Sequence, residues 1–304
     1  MTPHGPPPRV FVLGAGRAGR ALAAALAAAG VEVVGLHGRR PGPAAPPLPA
    51  VSAGPLPDAL AGAEIVLVTV RDAQLDEALA ELREAAVEAR LAPGAVVLHA
   101  SGASEPAGLA ALRAAGGGHA AGTFHPLVPL HDASEAAARL RDAWIGLDGD
   151  AAALAAGRAL AARLAAHPVE IPAGQKARYH AAAVMASNFP VVLASVAMRL
   201  LGNAGLPEVA AAGAVRALLA GAAANVATAS PGALAAGTVL TGPVPRGDVE
   251  TVARHLAALA GDERARAVYA ALTTEAVETL RAGGRDVLRL AELAELLHTA
   301  ADRR

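Results

Sequence analysis

The chain contains no cysteine, which excludes disulfides, thiolate metal sites and cysteine nucleophiles. Aromatic residues make up only 2% of its 304 positions, too few for the stacking platforms that bind single-stranded nucleic acid. An excess of charge is also missing: 26 Lys and Arg stand against 27 Asp and Glu, a formal net charge of −1. That balance argues against a nucleic-acid surface and against an electrostatic membrane anchor. The 10 histidines form no HxxxH or HExxH pair, so no metal site is expected. The opening residues Met1–Pro8 are Pro-rich and lack the apolar centre of a signal peptide, which makes the expected location cytoplasmic. One stretch, Ala181 to Met198, is almost wholly apolar. It contains Ser187, Asn188 and Pro190 and owes much of its apolarity to Ala, so it reads as a buried helix or a subunit interface rather than a membrane span.

Glycine, by contrast, is abundant at 32 residues, so a glycine triplet alone carries little weight. Its setting between residues 9 and 29 carries more. The apolar run Val10 to Leu13 ends in Gly14-Ala15-Gly16-Arg17-Ala18-Gly19, and an Ala-rich helical pattern continues to about Ala29. Strand, glycine turn and helix in this order suit a dinucleotide pyrophosphate. Gly14 allows the tight turn, Gly16 lets the backbone approach the phosphates, and Gly19 lets the helix pack close to the strand. The helix N-terminus offers free N–H groups and a positive dipole end. The competing reading is a tight turn with no ligand. Val31 to Leu36 is a second strand pattern, and its end should lie beside the adenosine ribose. An Asp or Glu there would bind the ribose hydroxyls of NAD; this chain has His37-Gly38-Arg39-Arg40. Two guanidiniums suit a 2′-phosphate, which favours NADP unless Arg39 and Arg40 are simply solvated loop charges. The expected nucleotide contacts are Gly14 to Gly19, Arg39, Arg40 and Val70, the last at the end of the strand pattern Glu64–Val70.

The rest of the first half alternates strand and helix patterns. The Pro-rich passage Pro41 to Pro57 is too broken for a regular helix and reads as a surface loop or a shortened crossover. After Glu64–Val70, Asp72 is a plausible N-cap for a helix from Ala73 to about Arg90. Strand patterns recur at Gly94–His99, Gly122–Leu127, Trp144–Leu147 and Val169–Ile171, with helices over 106–115 and 151–166. This is an α/β chain with a doubly wound, mostly parallel sheet. From Ala173 onward strand signals almost vanish and Ala/Leu-rich helices take over. The expected domains are a nucleotide-binding domain over 8–172 and an all-helical domain over 173–304.

Lys176, Tyr179 and His180 stand at i, i+3 and i+4 on the first helix of the second part and share one face. Ser187 returns to nearly that face, with Asn188 to its side. Lys176 and His180 are the candidate catalytic residues, as donors of a proton or hydrogen bond to a substrate carbonyl. The alternative makes Lys176 a solvated first-turn residue and His180 a satisfied core histidine. Ser101, in His99-Ala-Ser101-Gly102, ends a strand where ligands sit in parallel sheets, and is either a substrate contact or a cap for the next turn. His125 follows another strand pattern and points to the same cleft. In the loop Leu240 to Asp248, Asp248 is a good N-cap and Arg246 a candidate ligand for a substrate anion or a partner subunit.

Five stretches carry a resemblance over nearly the whole length: Val12 to Gly19, His99 to Gly102, His125-Pro-Leu127, Tyr179 to Asn188, and Leu240-Thr-Gly-Pro-Val-Pro-Arg-Gly-Asp248. The chain resembles a bacterial family of Rossmann-like oxidoreductases whose C-terminal half is domain of unknown function 2520. More distantly it is similar to the 6-phosphogluconate dehydrogenase-type superfamily, with its pyrroline-5-carboxylate and ketopantoate reductases. The resemblance implies a Rossmann-type domain, a helical domain that often dimerises, and hydride chemistry. Several of these enzymes use a Lys with a nearby Asn or His on the first helix of the second domain. Lys176 matches the Lys, while Tyr179 and His180 stand where His and Asn occur in one branch. That departure leaves the proton donor open. The implied function is an NADP-dependent reductase or dehydrogenase acting on a small carbonyl, imine or hydroxy acid, as a homodimer. Tyr179, Asn188, Ser101, His125 and Arg246 are the candidate substrate contacts. A non-catalytic nucleotide-binding protein on the same fold is the alternative.

Overall fold

The computed structural model describes residues 6–105, 110–130, 135–285 and 287–301. The expected helix over 106–115 begins outside the described residues. Two compact units divide the chain, Met1–Phe189 and Pro190–Arg304.

The first unit is built on β1 (Arg9–Leu13), β2 (Glu32–His37), β3 (Val51–Ser52), β4 (Ile65–Val68), β5 (Val96–His99), β6 (Ala120–Pro126), β7 (Trp144–Gly149) and β8 (His167–Glu170). They form one sheet in the order β3-β2-β1-β4-β5-β6-β7-β8, and every neighbouring pair is parallel except β6 with β7. The first six strands follow the doubly wound dinucleotide-binding order, in which the winding reverses between β1 and β4 and leaves a crevice at the strands' carboxyl ends.

Alternation along β1 explains why both faces of the sheet are covered. Val10 and Val12 join a core with Leu22 and Leu26 of α1 (Arg17–Ala28). Phe11 and Leu13 point the other way, into a core with Leu79 and Leu82 of α2 (Leu75–Val87). The remaining described helices of the sheet layers are α3 (Ala110–Ala114), α4 (Ala136–Leu140) and α5 (Ala151–Arg163).

Three details depart from the sequence pattern. The Pro-rich passage carries β3, where buried Val51 pairs with Leu36 and extends the sheet edge. Prolines bar a helix there but not an extended edge pairing. The short α4 gave no periodic signal, and only Ala136 and Leu140 anchor it to the core. Asp72 does not cap α2: it opens a short 3-10 turn, Asp72–Gln74, and α2 starts after Gln74 without a side-chain cap.

Helix α6 (Lys176–Ser187), assigned from the sequence to the second domain, falls within the first unit. The helices α7 (Phe189–Asn203), α8 (Glu208–Thr228), α9 (Pro231–Ala235), α10 (Val249–Ala258), α11 (Glu263–Ala282) and α12 (Val287–Ala301) follow, with no strand among the described residues beyond Glu170. The second unit's core joins Val252 and Leu256 of α10, Val277 and Leu280 of α11, and Leu290, Leu293 and Leu297 of α12. Asp248 caps α10 as expected, accepting the Thr251 N–H at 3.0 Å. The apolar stretch Ala181 to Met198, which spans the end of α6 and most of α7, is not buried within one chain, which leaves its subunit-interface reading open. α7 has no buried residue, α8 has only Ala211 and Val215, and Val191 (66%), Val192 (56%) and Leu218 (72%) are exposed. By length and composition Lys176–Asn203 and Glu208–Thr228 are apolar enough to cross a membrane. A turn at Asn188 interrupts the first of them.

The glycine turn sets how close α1 lies to the sheet. Gly14 has φ +118°, and a Cβ there would lie 2.6 Å from the Thr69 carbonyl carbon. A Cβ on Gly19 would strike the Gly14 carbonyl oxygen, whereas one on Gly16 would meet nothing within 4 Å. Gly19→Ala should therefore cost about 1–3 kcal/mol of stability through overpacking, while Gly16→Ala should stay within about 0.5 kcal/mol of the wild type. Urea unfolding of the two variants checks this, and equal midpoints would contradict the close-packing account.

Candidate active site

Two groups of functional side chains meet the carboxyl edge of the parallel strands. The first surrounds the glycine turn. Gly14 N and Ala15 N donate to the His37 carbonyl at 2.8 and 3.0 Å, and Thr69 Oγ1 donates to Gly14 O at 2.7 Å, so the turn is held from β2 and β4 together. Arg20 Nε donates to Ala15 O at 3.0 Å. Gly16 is the N-cap of α1, with no side-chain cap and no acid in the first turn. The unpaired first-turn N–H groups, beginning with those of Arg17, Ala18 and Gly19, and the open space beside Gly16 fit a phosphate-bearing ligand. His37 is buried with its Nδ1 in a 2.9 Å hydrogen bond to Ser52 Oγ, while Arg39 and Arg40, just beyond β2, are exposed. Val70 is half-buried after β4, next to Gly14.

The second group forms where β5, β6 and α6 meet. Parallel register sets His99 of β5 beside Thr123 of β6, and antiparallel register sets Thr123 beside Asp148 of β7. Lys176, at the start of α6, is 0% exposed. Its ammonium donates to Thr123 Oγ1 at 2.7 Å and to Ser101 O at 3.1 Å. Burial holds Lys176 down to about 8, partly offset by the carboxylates Asp148, Glu105 and Asp72. His99 Nε2 lies 3.4 Å from Thr123 Oγ1. Burial, aided by the Lys176 charge, lowers His99 to about 3, so its ring is neutral. Burial first, then the neighbouring His180 and Lys176, lowers His125 to about 4. His125 Nδ1 and the Tyr179 hydroxyl share a 2.9 Å hydrogen bond, and burial pushes that hydroxyl up to about 12. The His125 and His180 rings meet edge to face with centroids 5.7 Å apart. Both rings crowd Gly102, where a Cβ would lie 2.7 Å from His125 Nε2 and would collide with His180 Nδ1. His180 Nδ1 is buried and has no hydrogen-bond partner among the described residues.

Ser101, His125, Lys176, Tyr179 and His180 are thus brought together. The Ser101 hydroxyl closes a turn, accepting the N–H groups of Ala103 and Ser104 at 3.3 and 3.0 Å, which is the capping alternative; its carbonyl is what Lys176 holds. Asn188 is not in the cluster. It stands eight residues along α6 from His180, a rise of about 12 Å, and is exposed with Oδ1 accepting from Ser187 Oγ at 2.7 Å. Arg246 belongs to the second unit, in the turn Val244–Arg246. His99 and Thr123 went unread as site residues. The available signal was a polar side chain in each of two apolar strand patterns, His99 at the end of one and Thr123 inside the next.

The buried ammonium makes a pH test possible. Below pH 8 the native state bears the full cost of the buried charge. Between about 8 and 10.5 the unfolded chain still holds the proton that the native state has released, so stability rises with pH. Relative to Lys176→Met, the wild type should gain on the order of 3 kcal/mol across that window. Denaturant titrations at several pH values check this, and a difference that stays flat with pH would contradict the burial.

Comparison with known proteins agrees with this fold. Residues 6–126 match the Rossmann-like domain family and residues 143–276 match domain of unknown function 2520. No curated protein matches the chain. Among solved structures, a Bacteroides fragilis protein provisionally described as an NADP oxidoreductase superposes with a TM-score of 0.65 at 20% identity, covering 89% of this chain and 98% of its own. A Thermotoga maritima protein gives 0.66 at 23% identity, with 91% and 100% covered. The pyrroline carboxylate reductase of Plasmodium falciparum, solved with NADP bound, gives 0.57 at 11% identity, with 91% and 98% covered. At these identities the likeness is one of fold. The chain joins a Rossmann-like domain to a domain of unknown function 2520.

Proposed function

We propose that the chain is an NADP-dependent oxidoreductase moving hydride between the nicotinamide and a small carbonyl, imine or hydroxy-acid substrate. The observation that carries this reading is that one sheet edge bears both an uncapped glycine turn after β1 and an imidazole cluster after β5 and β6. Only β4 separates β1 from β5, so about 10 Å of sheet divides the two groups, a span that a bound dinucleotide covers. The fold likeness to reductases supports the same reading.

Bound NADPH supplies the hydride. The chain's residues do the rest. The unpaired N–H groups of Arg17, Ala18 and Gly19, just after Gly16, take the pyrophosphate, and Arg39 and Arg40 take the 2′-phosphate in bidentate fashion. His180 holds a proton for the substrate oxygen or nitrogen, because its Nδ1 lies at Gly102 without another partner. The Tyr179 hydroxyl fixes the His125 ring beside it. Lys176 acts through the Ser101-Gly102 turn that it anchors, since both contacts of its ammonium are to protein and it is wholly enclosed.

His180→Ala should lower kcat by roughly 10²–10⁴-fold and leave NADPH affinity intact. A panel of carbonyls and imines, followed by NADPH oxidation, supplies the substrate. Near-normal turnover in the variant would remove His180 from this role.

The same proposal includes a cytoplasmic homodimer. Apolar side chains exposed along α7 and α8 form a surface too continuous for a free monomer, and a second copy offers the same surface in return. A membrane fits less well, because Lys176 at the start of the first apolar segment is hydrogen-bonded to the sheet edge. Light scattering in detergent-free buffer should give twice the chain mass; a monomer at micromolar concentration would contradict it.

A further inference from the structure

The Pro-Arg-Gly-Asp loop of the second unit does not enter the hydride reading, yet it is built in detail. Val244–Arg246 forms a 3-10 turn that ends at Gly247 in the left-handed region, φ +65°. Gly247 is required for a second reason: a Cβ there would lie 2.7 Å from Arg289 Cβ and 3.0 Å from its Cδ. The missing side chain lets Arg289, in the first turn of α12, lie across the loop. Arg285, between α11 and α12, donates from Nη1 to Pro245 O at 3.4 Å. The three guanidinium-bearing residues Arg246, Arg285 and Arg289 line one cavity of about 150 Å³, closed on its apolar side by Leu280 and Leu290.

Three like charges around one cavity need an explanation. Among the described residues none of the three has an ion pair. The nearest acid in sequence, Asp248, lies close enough to feel the Arg246 charge but forms no ion pair with it, and its two oxygens accept from Thr251 N at 3.0 Å and Thr251 Oγ1 at 2.8 Å. All three arginines are exposed, so a ligand from solvent can reach them. Guanidinium forks bind oxyanions through paired N–H groups, and a tetrahedral dianion offers oxygens to several forks and offsets more of a threefold charge than a carboxylate does.

We propose that this cavity is a binding site for a phosphate-type oxyanion, carried by a small molecule and held by Arg246, Arg285 and Arg289. Gly247 is the residue that lets the third arginine join. The site stands on residues of the second unit alone and does not depend on the nucleotide reading.

Inorganic phosphate is the probe, titrated calorimetrically into the full chain carrying Arg39→Ala and Arg40→Ala, so that the residues assigned to the 2′-phosphate do not contribute. Chloride at matched ionic strength is the reference, and acetate is the carboxylate arm. Saturable phosphate binding is expected. Arg289→Gln or Arg246→Gln should weaken it about tenfold or more, as loss of a charge-assisted contact implies. Gly247→Ala should weaken it while leaving Arg246 and Arg285 in place. Circular dichroism of each variant in chloride confirms the fold. No saturable binding, or binding unchanged by Arg289→Gln and Arg246→Gln together, would overturn the site. Acetate binding as tight as phosphate would overturn the assignment to a phosphate-type anion. Absence of NADPH binding to the wild-type chain, with phosphate binding retained in the Arg39→Ala, Arg40→Ala chain, would overturn the nucleotide reading and leave this site standing.

Discussion

One buried ammonium holds the candidate site together. Lys176 begins α6, and its two hydrogen bonds reach the turn after β5 and the middle of β6. Three segments distant in sequence therefore share one donor. With Lys176 in place, the helix face brings Tyr179 to His125 and His180 to Gly102. A charge in such a place is costly unless its hydrogen bonds are made, and both oxygens that accept from it are fixed by strand register or by the Ser101 turn.

The electrostatics around that ammonium follow from burial. It keeps His99 and His125 neutral, and each neutral ring then offers a hydrogen-bond acceptor as well as a donor. Asp148, across from Thr123, has its carboxyl raised by burial and lowered by Lys176, with the first effect larger. Neutral His99 and His125 serve as hydrogen-bonding groups, and Lys176, held down to about 8, is the displaced group of this cluster that titrates closest to neutral pH. The places whose chemistry suits an anion lie elsewhere: the uncapped N-terminus of α1, exposed Arg39 and Arg40, and the arginine-lined cavity of the second unit.

Much of this was legible in the sequence where chemistry restricts the residue. Gly14, Gly16 and Gly19 marked the turn because three different steric demands fall at fixed spacing, and the structure gives each glycine a different environment. Helical spacing placed Lys176, Tyr179 and His180 on one face. What the sequence hid depends on tertiary partners. Ser101 serves through its carbonyl, which no side-chain reading can see. His99 and Thr123 meet only because two strands align in register. Strand β3 and helix α4 are too short for a period, and Asp72 lost its capping role to a 3-10 turn. Alanine, which suits core and surface alike, blurred α7 and α8, so their exposed apolar faces emerged only from the packing.

The central claim is that the glycine turn and the arginines after β2 form an NADP site on the edge that carries the imidazole cluster. Calorimetric titration of NADPH and NADH into the wild type and into Arg39→Ala with Arg40→Ala tests it most directly. The account predicts tighter binding of NADPH, with the preference lost in the double variant at a cost of about 1–3 kcal/mol to NADPH alone. Equal affinity for the two nucleotides in the wild type, or a preference that survives removal of both arginines, would contradict it.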